Sequence, residues 1–254
     1  MNDSYRGYAN AAGTMDMSVD AGLRSFMLGV YNKMGLGLVL SAALAYAVGT
    51  VAPLTSLVLG TPLLYVVQFG PIVLLLGSMF FMRRPSPIGS ALLYWSIVTL
   101  IGMGLSVWVF IAQNNITAET ASGTSITASF TTIGQAFFIT ASSFLALSFW
   151  GYTTKRNLSG IGSFMIMAAW GAIATSLVNV FFVQSSGLEL LIQIVLLGLM
   201  AGIVAWQTQS LKGSYYAYQG DQRSLAVMTN MGALNLYLAF VNIFQIILSL
   251  LGRE

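Results

Sequence analysis

The sequence predicts an all-α bundle of seven membrane-spanning helices, and three observations carry that prediction. The 254-residue chain is 57% apolar and 7% charged, with a mean hydropathy of +0.81. A soluble domain carries roughly 25% charged residues, and 10 basic with 7 acidic side chains cannot solvate the outside of so apolar a chain. The apolar residues also gather into seven stretches, each near the ~20 residues that cross a ~30 Å hydrocarbon core. Finally, no ten-residue alternation of apolar and polar residues marks the strands of a barrel, so helices must satisfy the backbone.

Residues 1–20 are polar, with Asp3, Arg6, Asp16 and Asp20, and read as a cytoplasmic tail ahead of one transmembrane domain over residues 21–254. With no early apolar core there is no cleavable signal, and the first span is expected to act as its own insertion signal. Leu23, Phe26, Met27, Val30, Tyr31 and Met34 form one apolar helical stripe, with Arg24 and Lys33 on other faces. That pattern predicts an interfacial helix feeding the first span; a docking face for a partner is its alternative use. The spans follow at 34–53, 61–82, 88–112, 129–152, 160–183, 188–209 and 226–251. Connections between them are short, so no separate soluble domain is expected.

The basic residues set the orientation. Arg6, Arg24, Lys33, Arg83, Arg84, Lys155, Arg156, Lys212 and Arg223 are nine of the ten, and all fall on one side if seven helices alternate. Glu119, Glu189, Arg253 and Glu254 fall on the other. The positive-inside rule then places the N-terminus in the cytoplasm and the C-terminus outside. A re-entrant last segment would return Arg253 to the inside, but residues 226–251 are long enough to cross. Tyr31, Trp150, Tyr152, Trp206, Tyr215 and Tyr216 lie near the predicted cytoplasmic ends and Trp108 near an outer end, as an aromatic belt requires.

What the chain lacks excludes most chemistry. There is no cysteine and no histidine, so thiolate sites, the usual zinc and haem ligation and Ser-His-Asp catalysis lose their central group. No Asp, Glu, Lys or Arg occurs from Gly35 to Met82, Ile88 to Ala112, Asn157 to Gly187, Leu190 to Leu211 or Ser224 to Gly252. Intramembrane proton relays are built from such groups, and a calcium cage needs several carboxylates. The reading is therefore a non-enzyme with no cofactor and no nucleic-acid role.

Neutral polar residues remain. Asn235, Asn242, Gln245 and Ser249 follow steps of seven, three and four along one face of the last span, with Ala239 in the middle of that face. Gln193 and Gln207 lie fourteen residues apart on nearly one face of the sixth span. Such amides serve either interhelical hydrogen bonding, worth about 0.6 to 2 kcal/mol per contact, or a polar lining for a narrow pathway. Gly198 with Gly202, and Gly171 with Thr175, are small-residue pairs that suit close helix packing.

Three stretches carry a resemblance. Phe137 through Ser159, followed by Gly160-Ile-Gly-Ser-Phe164, resembles bacterial members of the Bax inhibitor-1 (transmembrane Bax inhibitor motif) family. So do Ala21 to Met27 with Val30-Tyr31-Asn32, and Met231 to Leu238 with Phe240 to Phe244. The resemblance implies six helices surrounding a central seventh. It also implies a pH-sensitive calcium leak in some bacterial relatives and modulation of a membrane-anchored ATP-dependent protease in others.

The family's sensor is an aspartate pair in the last two spans. Here the matching patterns read Trp206-Gln207-Thr208-Gln209 and Tyr237-Leu238-Ala239-Phe240, so Gln207 and Ala239 replace both aspartates. Paired carboxylates titrate in an accessible range because like charges disfavour double ionisation; glutamine and alanine do not titrate. Two readings follow. One is a pH-insensitive inner-membrane leak for calcium or monovalent cations, with Gln193, Asn235, Asn242 and Gln245 as candidate pathway residues. The other is a regulator that moves no solute and binds the protease or another membrane protein.

Overall fold

The computed structural model describes residues 3–81, 85–120 and 123–253, with side chains from residue 21 onward except Phe81. Arg83, Arg84 and Glu254 and the side chain of Arg6, on which the orientation also rests, lie outside the described residues. Among the described residues there are eight α-helices: α1 (Asp3–Thr50), α2 (Ala52–Leu59), α3 (Leu63–Phe81), α4 (Pro87–Asn114), α5 (Phe130–Thr153), α6 (Ser159–Val178), α7 (Ser186–Ala217) and α8 (Gln222–Leu251). All but α2 include a segment long and apolar enough to cross a membrane, which makes seven such helices among the described residues. The fold class is as expected: all-α, with seven candidate spans.

Local chemistry sets the ends. Ser86, Ser129 and Ser185 cap α4, α5 and α7, accepting from the N–H groups of Gly89, Thr132 and Leu188 at 3.0, 3.0 and 3.3 Å. Asp221 caps α8 through Arg223 and Ser224, at 3.0 and 3.2 Å. Asn115 ends α4 in the left-handed region at φ 50°, a conformation asparagine tolerates. Past α6 the chain makes one π-helical turn, Asn179–Val183. Buried Asn179 donates to Ser185 O at 3.1 Å and accepts from Ser185 N–H at 3.0 Å, tying that reversal directly to the start of α7.

Two elements were not foreseen. Short α2 carries Pro53 in its first turn, where the missing N–H costs nothing. A small antiparallel hairpin, β1 (Thr117–Glu119) with β2 (Ser125–Thr127), joins α4 to α5. The end of the bundle that carries this hairpin is called the hairpin end. The other, where Arg24, Lys155, Arg156 and Arg223 gather, is the basic end.

The core sits along α8, half of whose most apolar segment is buried, against 11 to 33% for the other spans. Its principal neighbours are α1, α4, α5 and α7, while α3 packs chiefly on α4 and α6 on α7. Tyr94, Ile97 and Val98 of α4 meet Leu234, Leu236 and Tyr237 of α8, and Phe240 stacks obliquely on Phe137 and Phe144 of α5. A polar ladder threads this core. Lys33 bonds Asn230, Asn230 bonds Ser90 at 2.8 Å, and Tyr94 donates to Lys33 O at 2.7 Å. About two turns deeper, Ser41 joins Tyr237 at 2.6 Å and Val98 O at 3.2 Å.

Three expectations change. The stripe Leu23, Phe26, Met27, Val30, Met34 is buried in this core and belongs to a continuous α1, so it is neither an interfacial helix nor a docking face. Its period is that of any amphipathic helix; the opposing apolar surface comes from residues some 200 positions away. Tyr215, assigned to the aromatic belt, is likewise buried, against Phe26. Gly198 and Gly171 meet no neighbouring helix, and Gly202 meets only the end of the Met165 side chain. The close approaches lie elsewhere: a Cβ on Gly151 would strike the Ala205 backbone, and one on Gly102 would lie 2.7 Å from Ser41 Cα.

Candidate functional site: a neutral polar groove

Where α6 packs on α7 and hardly touches α8, a cavity of about 240 Å³ opens between α6, α7 and α8. Gln207, Asn235, Ala239 and Asn242 all line it, with Trp170, Met200 and Leu238 among the apolar walls. The antiparallel run of α7 and α8 makes this possible. Gln207 lies ten residues before the end of α7 and Asn235 thirteen after the start of α8, which brings them to one level. Ala239 follows Asn235 by one turn and Asn242 by nearly two.

Two of the six candidate positions fall outside the cavity lining. Gln245 continues the exposed face of α8 toward the hairpin end. Gln193 is engaged there, donating to Glu189 Oε1 and to Ser249 Oγ, each at 3.1 Å. Interhelical hydrogen bonding, one of the two roles foreseen for these amides, is thus found for Gln193 and Ser249. Asn235, Asn242 and Gln245 take part in no hydrogen bond among the described residues, and Gln207 Oε1 is buried without a protein partner.

The hairpin end of this polar face is closed by a cluster that spacing could not reveal. Glu189 accepts from Thr124 at 2.8 Å and Thr120 at 3.2 Å, and faces Arg253 at 3.8 Å. Arg253 also donates to Thr124 Oγ1 at 3.1 Å and Ser186 O at 2.6 Å. Thr127 N–H reaches Gly252 O at 2.8 Å, adding the chain's last turn to the hairpin. The sequence exposes Glu189 and Arg253 as lone charges at opposite ends of two spans; their pairing across 64 residues is purely tertiary. At the basic end, Gln209 accepts from Leu158 N–H at 2.8 Å and donates to Arg156 O at 2.7 Å, pinning the α5–α6 connection against α7.

No ionisable residue lines the cavity, and among the described residues no cluster of three Asp or Glu could hold a metal. The arrangement can solvate small polar species through amide dipoles, but it offers neither a proton acceptor nor a multivalent cation cage.

Seven apolar helices around a chiefly apolar core, notched by an uncharged polar groove, define a multi-pass α-helical membrane protein. Residues 23–254 match the family described as "Inhibitor of apoptosis-promoting Bax1". The chain belongs to this Bax inhibitor-1 family. It is 44% identical to an uncharacterized protein of Caulobacter vibrioides, across 99% of this chain and 98% of that one. It is 34% identical to the uncharacterized protein RP147 of Rickettsia prowazekii, across 92% of each. The inner membrane protein YbhL of Escherichia coli is 30% identical, across 92% of this chain and 94% of its own.

Proposed function

We propose that this chain is an inner-membrane protein that lets small cations leak along the α6–α7–α8 groove, with its N-terminus cytoplasmic and with little response to pH. The observation that carries the reading is the set of amides at the groove, Gln207, Asn235 and Asn242, that lack protein partners. An amide facing hydrocarbon without a hydrogen bond costs on the order of 2 kcal/mol or more. Three such groups on one groove are stable when water reaches them, and at ~30 Å³ per molecule the cavity holds several waters. The name of the Escherichia coli relative and the nine-to-one split of basic residues support the membrane and the orientation.

Amide oxygens carry partial charge only, so calcium, which favours several carboxylate oxygens, gains little over monovalent cations here. Gln207 and Ala239 stand where relatives are read to carry the sensor aspartates, and neither can take up a proton. The Glu189–Arg253 cluster at the hairpin end is the element that would close such a path, because its ion pair and hydrogen bonds tie the start of α7 to the hairpin and the end of α8. The other reading, a regulator docked on a membrane-anchored protease, would be favoured by an exposed N-terminal stripe, and that stripe is buried.

The test is potassium flux into proteoliposomes for the native chain against Asn235→Leu and Asn242→Leu. Each leucine removes a groove amide from an exposed position and leaves the core untouched. Flux that falls at least several-fold in both variants, with helical content unchanged, is the expected result. Equal flux in all three, or none in any, would end the leak reading.

A further inference from the structure

On the opposite flank of α8, α1 and α5 stand apart with a cleft between them. At the basic end the cleft widens to a cavity of about 420 Å³ lined by Arg24, Tyr31, Leu145, Ser148, Phe149 and Tyr152, among others. Further along, a second cavity of about 390 Å³ is walled by Leu38, Trp108, Phe137 and Phe244 and is almost wholly apolar. Polarity is therefore graded along the cleft: a cation and phenol hydroxyls at the mouth, hydrocarbon beyond.

Two details at the mouth ask for a ligand. Ser148 is 5% exposed, and its Oγ is buried without a hydrogen-bond partner. A serine in a helix commonly bonds the carbonyl one turn back, as Thr140 does at 2.7 Å; Ser148 does not, and it is one of the residues that line the cavity. Arg24 is exposed and takes part in no hydrogen bond or ion pair among the described residues. Lys212 Nζ lies 5.2 Å from the centre of the ring of Tyr152, which also lines the mouth, and adds a second positive charge. Ser148 is four residues, about 6 Å, deeper along α5 than Tyr152.

We infer that the α1–α5 cleft binds one anionic phospholipid from the leaflet at the basic end. Its phosphate lies against Arg24, with Lys212 and the Tyr152 hydroxyl close by. An ester oxygen reaches Ser148, one turn deeper, as the glycerol backbone lies beneath the phosphate. The acyl chains run between Met27 and Leu28 of α1 and Leu145 and Phe149 of α5. The site depends on the chain lying in a membrane and not on conduction through the groove, which is on another face of the bundle.

Native mass spectrometry of the full chain tests this, after exchange into detergent holding equal phosphatidylglycerol and phosphatidylcholine of identical acyl chains. One retained phosphatidylglycerol, in clear excess over phosphatidylcholine, is expected. Arg24→Gln should lower that preference about fivefold, the effect of one basic residue near an anionic surface. Ser148→Leu, which fills the cleft mouth, should abolish retention of both lipids. Excess glycerol 3-phosphate should not displace the lipid; displacement would mean a phosphate site without an acyl cleft. Equal retention of the two lipids, or a preference unchanged in Arg24→Gln, would overturn the assignment. Should Arg24→Gln fail to fold, lipid retained unchanged by Ser148→Leu overturns it alone, and lipid lost upholds it.

Discussion

At the junction of α1, α4 and α8, the Ser41 hydroxyl donates to Val98 O at 3.2 Å, so at Ser41–Tyr237, 2.6 Å apart, the phenol is the donor. The direction makes the two partners unequal. Tyr237→Phe keeps the ring volume and leaves Ser41 still bonded to Val98, so it removes one hydrogen bond, about 1 kcal/mol. Within membranes such bonds average nearer ~0.6 kcal/mol, which sets the lower bound. Ser41→Ala strands the Tyr237 hydroxyl in a site with no exposure, at about 1 to 3 kcal/mol. Unfolding in mixed micelles, followed by circular dichroism, should therefore rank Ser41→Ala as the costlier change. The double variant should cost less than the two singles added, because both remove the same bond. A costlier Tyr237→Phe, or strict additivity, would refute this reading of the ladder.

Other consequences follow from the two bundle ends. Glu189→Ala leaves Thr120, Thr124, Gln193 and Arg253 short of their shared acceptor, and should lower stability by about 2 kcal/mol. If the cluster is the closure, the same variant also raises flux in the proteoliposome assay. Asp221 is held below the usual carboxylate range, first by the Ser224 hydroxyl and then by the backbone N–H groups it caps. Its capping contribution is therefore complete above the unfolded value of ~3.9 and is lost as pH falls further, through the depressed folded value. The stability gap between the native chain and Asp221→Asn, measured by micellar unfolding, should be flat above about pH 4 and change only below it.

The first spanning segment begins at Ala21 and not at 34, and the sixth runs on to Ala217 and not 209. The number of spans, the limits of the others to within a few residues and the basic end were legible in the sequence because bilayer thickness imposes one length and one hydropathy on every crossing. Which face of each span meets protein was not. Lipid tails are as apolar as leucine, so the stripe from Leu23 to Met34 has the same pattern whether it lies on a membrane surface or in the core. The exposed apolar residues of α6, such as Phe164 and Trp170, follow no simpler rule. The groove was half legible. Helical spacing put Asn235 and Asn242 together and the family resemblance singled out Gln207 and Ala239, yet that all four line one cavity depends on α6 packing on α7 and hardly on α8. Gln193 shares its helical face with Gln207, but fourteen residues carry it about 21 Å away, into the Glu189 cluster. The Ser148 cleft left no sequence signal, since an unpartnered serine looks like any other.

Nothing that lines the proposed permeation groove can titrate. Potassium and calcium flux into proteoliposomes, stepped from about pH 8 to pH 6 to span a raised carboxylate pKa, tests it most directly, with Gln207→Asp combined with Ala239→Asp run alongside. The expected result is native flux that is indifferent to pH and only weakly selective for calcium, and a double variant whose flux changes across that interval. A steep pH response in the native chain would contradict it, because no side chain lining the groove can supply one.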